Sequence, residues 1–113
     1  MKYKVGGVYK YALCEKRFVV FSVNETAAGT SVWLRQLDQK IPDDFVGTWN
    51  LTADECESVI DVSMGISSLL STGHMRISDA KEIMTKRFGL RIKGRSLVDV
   101  IKSLTEISHA QAA

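Results

Sequence analysis

The spacing of hydrophobic and polar residues changes between the two halves of the chain. In the first half, β-branched and aromatic residues alternate with polar ones, which is typical of half-buried strands. From Thr52 onward, apolar residues recur every third or fourth position, as on one face of a helix. We therefore predict an α+β protein in which a β-rich subdomain, residues 1–51, precedes a helical subdomain, residues 52–113, the two forming one compact unit.

Four segments of the first half have the composition of strands. In the first of them, Tyr9 and Tyr11 fall on one face because side chains alternate along a strand. The second, Arg17 to Val23, is apolar on both faces and is the best candidate for a central strand. The segments are residues 8–13, 17–23, 31–37 and, shorter, 45–51. The turns between them predict a three- or four-stranded antiparallel sheet or a small open barrel.

Capping residues predict three helices in the second half. Thr52 to Glu55 has the spacing of a capping box and starts the first predicted helix. Ser78 is the expected cap of the second helix, and Ser96 to Asp99 repeats the capping-box pattern before the third. The expected ranges are 52–73, 78–89 and 97–107, of which the first two end on glycine, a common C-terminal stop.

Length and composition are those of an ordinary globular domain. The chain has 113 residues, of which 45% are hydrophobic and 25% charged. No apolar stretch approaches the length of a membrane-spanning helix, and the first residues lack the apolar run of a signal peptide. We therefore expect a cytoplasmic protein without a membrane partner.

Residues that carry catalytic or metal chemistry are few and scattered. Cys14 and Cys56 lack metal-ligand or redox spacing and are expected to be reduced thiols. His74 and His109 have no carboxylate or nucleophile as an obvious neighbour. The acidic residues of the middle segment do not match a calcium loop, and the glycines match no phosphate-binding motif. We therefore predict a protein that is not an enzyme and holds no metal or cofactor, with an unfamiliar hydrolase or transferase as the third alternative.

Charge is distributed in blocks that the net charge of +2 conceals. Residues 1–37 contain six basic and two acidic residues. Residues 38–61 contain one basic and seven acidic residues, and residues 62–102 contain eight basic and three acidic residues. In the last block, the segment from Lys86 to Arg95 interleaves basic residues with glycine and apolar positions. Its five basic residues are Lys86, Arg87, Arg91, Lys93 and Arg95. Such a segment is typical of phosphate binding, although it also fits an ordinary solvated face.

A second candidate surface lies in the β-rich half. Tyrosine, tryptophan and arginine are enriched at binding hot spots, and small open barrels use such residues to bind peptides or bases. The candidate residues are Tyr9, Tyr11, Trp33 and Arg35. The alternative interpretation is that the rings fill a small core, and we prefer it for Trp33.

These observations predict a small non-enzymatic regulatory or accessory binding module. The leading ligand is nucleic acid, DNA or RNA, bound by the basic segment with assistance from Lys81 and Lys102. The alternative is a protein-binding inhibitor or adaptor that regulates a larger protein or complex. A homodimer is compatible with either, since the first predicted helix has an apolar edge that a second copy can cover.

Overall fold

A computed structural model describes residues 3–11, 16–27, 29–37, 44–48 and 53–112 of the chain. Within these ranges, side chains are described except at Tyr11, Thr26, residues 44–48 and residues 110–112. The chain divides into two compact units, Met1–Glu57 and Ser58–Ala113, which we call unit 1 and unit 2.

Unit 1 is an open antiparallel sheet of five described strands. They are β1 (Val8–Tyr11), β2 (Arg17–Thr26), β3 (Gly29–Gln36), β4 (Asp44–Thr48) and β5 (Ala53–Cys56). The strand order is β4-β3-β2-β1-β5, so the first four form a meander and β5 pairs with β1 at the opposite side. Together with the three helices of unit 2, this sheet confirms the predicted α+β class.

A bulge in β2 determines which side chains of unit 1 face its core. The pairing of β2 with β3 shifts between Val20 and Ser22, which leaves Phe21 as an extra residue. Val20 lies opposite Leu34, and both are buried. The core cluster consists of Tyr3, Tyr9, Phe18, Val20, Val32, Leu34 and Ala53. The predicted central strand is confirmed, since β2 lies between β1 and β3.

The helix predicted to begin at Thr52 is wrong at its start. Ala53–Cys56 is a strand whose backbone pairs with β1 along its whole length, and Ala53 is buried in the core of unit 1. This pairing and burial outweigh the local capping-box pattern, which extends over only one helical turn. The first helix instead begins after Ser58, whose hydroxyl oxygen accepts the Asp61 backbone N–H at 3.2 Å. Thr52 itself and the end of the predicted fourth strand, residues 49–51, lie outside the described residues.

Unit 2 contains three helices: α1 (Val59–Ser71), α2 (Ile77–Phe88) and α3 (Leu97–Ala112). Helix α1 packs mainly against α3 and also contacts α2. Their buried apolar side chains include Val62, Ile66, Leu69, Leu70, Ala80, Met84, Val100 and Leu104. No helix in the described part of the chain is both long and apolar enough to span a bilayer.

Three of the six helix ends in unit 2 agree with the sequence prediction. The starts of α1 and α2 do not, and α3 continues to Ala112 instead of ending at residue 107. Gly73 and Gly89 follow α1 and α2 in the left-handed conformation, at φ of 78° and 65°, as predicted for C-terminal stops. The Asp99 backbone N–H donates to Ser96 Oγ at 3.2 Å, which confirms the cap of α3. Ser78 is not the cap of α2, because α2 already begins at Ile77.

Candidate nucleic-acid interface

The basic residues that follow α2 lie on a connection between two helices. Residues 89–96, which we call the basic loop, are neither helix nor strand. Burial nevertheless alternates along it: Ile92 is buried, whereas Arg91, Lys93 and Arg95 are exposed. The apolar anchor thus faces the protein and three positive side chains face solvent.

Three side-chain hydrogen bonds fix the backbone of the basic loop. From α2, Thr85 Oγ1 donates to the Leu90 carbonyl oxygen at 3.1 Å, and Lys81 Nζ donates to the Gly94 carbonyl oxygen at 2.6 Å. From α3, Ser103 Oγ donates to the Lys93 carbonyl oxygen at 2.9 Å. Because these donors come from both flanking helices, the loop is held at its beginning and at its end. Residues outside the loop therefore position the backbone that carries its cations.

Gly94 brings the loop backbone against the first turn of α3. Its φ is 121°, a region that residues with a Cβ rarely adopt. A Cβ placed on Gly94 would also lie 2.7 Å from Asp99 Cβ, which is too close for an ordinary contact. Only glycine fits this position without strain.

The first two residues of the predicted basic site have other partners. Lys86 Nζ lies 2.6 Å from Glu82 Oε1, one helical turn earlier on α2. This hydrogen bond lowers the pKa of Glu82 below its usual value and raises the pKa of Lys86. The Arg87 guanidinium lies over the Phe88 ring at 5.6 Å from its centroid, a cation–π contact. The five predicted residues therefore fall into two that contact neighbours on α2 and three on the basic loop.

A shallow groove of about 340 Å³ adjoins the basic loop on its α3 side. It is lined by Arg91, Ile92, Lys93, Ser103, Glu106 and Ile107. Its lining thus combines two isoleucines with two loop cations and one carboxylate. A ligand that enters here meets positive charge and apolar surface together.

The two lysines expected to assist the segment differ in their environments. Lys81 is half-buried and donates to the Gly94 carbonyl, so it positions the loop. Lys102 is exposed on α3. Sequence reasoning missed the bracing roles of Thr85 and Ser103, because a hydroxyl at an ordinary helical position has no pattern that marks it.

The second candidate surface is only partly exposed. Tyr9 is 3% exposed, and its hydroxyl oxygen accepts the Lys4 backbone N–H at 3.0 Å, so it belongs to the core of unit 1. Trp33, for which a core position was preferred, is instead 44% exposed, and its ring lies 6.2 Å from that of Phe21. Arg35 is half-buried, two positions further along β3. The side chain of Tyr11 lies outside the described residues.

Groups that could hold a metal ion do not cluster in the part of the chain that the structure describes. No three residues among its His, Cys, Asp and Glu are placed to hold a metal ion. His74 Nδ1 lies 2.7 Å from Thr72 Oγ1 just after α1, His109 is exposed on α3, and Cys56 is half-buried in β5. Cys14 lies outside the described residues. Comparisons with models of known families, with curated proteins and with solved structures found no match.

Proposed function

We propose that this protein is a non-catalytic regulatory or accessory module that binds nucleic acid through Arg91, Lys93 and Arg95. The observation that carries the proposal is the braced backbone of the basic loop, which presents three exposed cations while the carbonyl oxygens of Leu90, Lys93 and Gly94 accept hydrogen bonds from α2 and α3. A fixed loop loses little conformational entropy when it meets a row of phosphates. A location in the cytoplasm and a homodimer belong to the same proposal.

The charge of unit 2 supports the same function. Residues 58–113 contain eight basic and five acidic residues, and residues 1–57 contain seven and eight. Each cation that meets a phosphate releases condensed counterions, so binding by three cations predicts a log–log salt slope of about −2.7 on duplex DNA. Lys102 adds a further exposed cation on the neighbouring helix.

The proposal is tested by the salt dependence of binding to mixed-sequence nucleic acids. The test variant carries Arg91→Ala, Lys93→Ala and Arg95→Ala, and it should lose most of its affinity and nearly all of its salt slope. A matched control carries Lys4→Ala, Lys16→Ala and Arg76→Ala, which removes the same charge from exposed positions elsewhere. The control should bind like the wild type apart from a small general weakening. Equal binding by the two variants, or no binding of the wild type at low salt, contradicts the proposal.

A second candidate function is protein binding by unit 1, as an adaptor or inhibitor. The observation that favours it is the exposure of Trp33 beside Phe21, since tryptophan is enriched at interface hot spots. A partner recovered from nuclease-treated lysate by the wild type, and lost with Trp33→Ala but retained with Val5→Ala, would support this function. Val5 is the matched control because it is an equally exposed apolar residue of unit 1, at 46%.

A further inference from the structure

We propose that the exposed face of α3 enters the major groove of duplex DNA, where Val98 contacts the methyl groups of thymine. This inference rests on the proposed function, because the basic loop supplies the phosphate contacts that orient the helix. It names duplex DNA as the ligand. It also adds a contact to a base, whereas the basic loop contacts only the phosphates of the nucleic acid.

Val98 is the most exposed large hydrophobic side chain among the described residues, at 74%, and Leu97 next to it is 42% exposed. Both belong to the first turn of α3, immediately after Arg95 and Ser96. An exposed apolar side chain does not stabilise the fold by burial. Its surface can therefore contribute free energy when a ligand covers it.

The geometry of α3 fits a groove. Its buried stripe is formed by Val100, Leu104 and Ser108, which repeat every four residues and face the rest of unit 2. Val98, Lys102 and Thr105 lie on the opposite, exposed side. A helix of about 10–12 Å diameter fits the major groove of B-DNA, which is about 12 Å wide.

The positive charge near the first turn of α3 favours duplex DNA as the ligand, because DNA phosphates are negative. Arg91, Lys93 and Arg95 precede this turn and Lys102 follows it one turn later, while Asp99 and Glu106 are the acidic residues of the same helix. The basic loop and α3 together therefore contain four basic and two acidic residues. Phosphates on either side of a groove match such an arrangement, and the thymine methyl is the apolar group that the major groove offers.

Single-stranded nucleic acid and duplex RNA fit the same surface less well. Single strands are bound largely by stacking bases on aromatic rings, and residues 58–113 contain one aromatic residue, Phe88. Phe88 is half-buried, and the Arg87 guanidinium lies over its ring. In duplex RNA the major groove is deep and narrow, and uracil has no methyl group for Val98 to contact.

The test compares a thymine-rich DNA duplex with the same duplex in which deoxyuridine replaces thymidine. Wild-type protein should lose roughly fourfold in affinity for each methyl group that Val98 contacts. Val98→Ala should bind the thymine duplex more weakly and should no longer distinguish the two probes. Val5→Ala, an exposed apolar residue of unit 1, is the control and should distinguish them as the wild type does. Alanine is a strong helix former, so the Val98 variant should keep its fold.

The outcomes separate this inference from the function on which it rests. Salt-dependent duplex binding that is abolished by the triple alanine variant of the basic loop, but is indifferent to thymine methyl groups, overturns the major-groove contact and leaves the proposed function standing. Equal or tighter binding to single strands or duplex RNA also overturns the contact alone. Absence of binding to any nucleic acid overturns both. Binding to vesicles rich in anionic lipid that depends on Val98, without discrimination between the DNA probes, assigns the apolar turn to a membrane surface and overturns the inference.

Discussion

Lys81 Nζ lies 2.6 Å from the carbonyl oxygen of Gly94, thirteen residues later in the chain. This bond joins the first half of α2 to the end of the basic loop, and it uses a cation that the sequence assigns to ligand binding. The half-buried Lys81 ammonium uses one of its three N–H donors on this carbonyl, which holds it against the loop backbone. Lys81 therefore acts on the ligand through the position of the loop.

Replacing Lys81 with methionine should show whether Lys81 acts by positioning the basic loop or by direct contact between its charge and a phosphate. The variant loses a charge-assisted hydrogen bond of a half-buried group, and we expect the free energy of unfolding to fall by about 1 kcal/mol. Affinity for nucleic acid should fall because the loop is less ordered, yet the salt slope should stay as in the wild type. By comparison, Arg91→Ala should reduce the magnitude of the slope by about 0.9, since it removes a direct phosphate contact. A Lys81 variant with a reduced slope would show that the lysine contacts phosphate after all.

Gly94→Ala should destabilise the protein more than Gly73→Ala, a substitution just after α1. The Gly94 substitution forces a Cβ into a backbone of φ 121° and to within 2.7 Å of Asp99 Cβ, and we expect a loss of about 3 kcal/mol. Gly73 is the control because its φ is also positive, at 78°, but a Cβ there meets no atom within 4 Å. Gly73→Ala should therefore cost only about 1 kcal/mol. Urea unfolding followed by circular dichroism measures both, and equal losses would show that contact with Asp99 is unimportant.

The helices of unit 2 could be predicted from sequence because local chemistry determines their ends. Ser96 and Asp99 form the predicted cap of α3, and Gly89 ends α2 as expected. These features need only a few neighbouring residues, so a single sequence contains the information. The alternation of apolar and basic residues from Leu90 to Arg95 is also visible in the chain, and in the structure Ile92 is buried between exposed cations.

Features that depend on distant residues were not predictable. The segment from Ala53 to Cys56 is a strand because its partner, β1, lies more than forty residues earlier. Its own residues favour a helix start. The exposure of Trp33 depends on which face of β3 the rest of unit 1 covers, since Val32 and Leu34 on either side of it are the buried residues. The bond from Lys81 to Gly94 depends on how α2 meets the loop. Tertiary pairing outweighs local preference at each of these places.

The contact between Glu82 and Lys86 should restrain nucleic-acid binding. Its hydrogen bond lowers the pKa of Glu82, so the bond is present above the usual carboxyl pKa of 4.5 and is lost as pH falls through the lowered value. Both groups are exposed, and the pair contributes little to stability. Glu82→Gln should leave the melting temperature nearly unchanged but release Lys86, which raises affinity and steepens the salt slope at pH 7. Ser78→Ala, on the same helix and without a charge change, is the control. Unchanged binding by the Glu82 variant would mean that Lys86 lies outside the interface.

Ala53 distinguishes the strand in the structure from the helix that its neighbours favour. In β5 its side chain is 1% exposed within the core of unit 1, so Ala53→Asp places an unpaired charge in that core. We expect a loss of about 3 kcal/mol or more in the free energy of unfolding. At the first turn of a helix the same aspartate would be neutral or slightly stabilising.

The two tryptophans of the chain, at positions 33 and 49, both belong to unit 1, so their fluorescence reports on its unfolding. Fluorescence-detected urea unfolding of Ala53→Asp should show an earlier midpoint, whereas Asp54→Ala, at the exposed next position of β5, should keep the midpoint of the wild type. If Ala53→Asp also kept the wild-type midpoint, the residue would not be buried against β1. The capping-box helix would then be the better description of this segment.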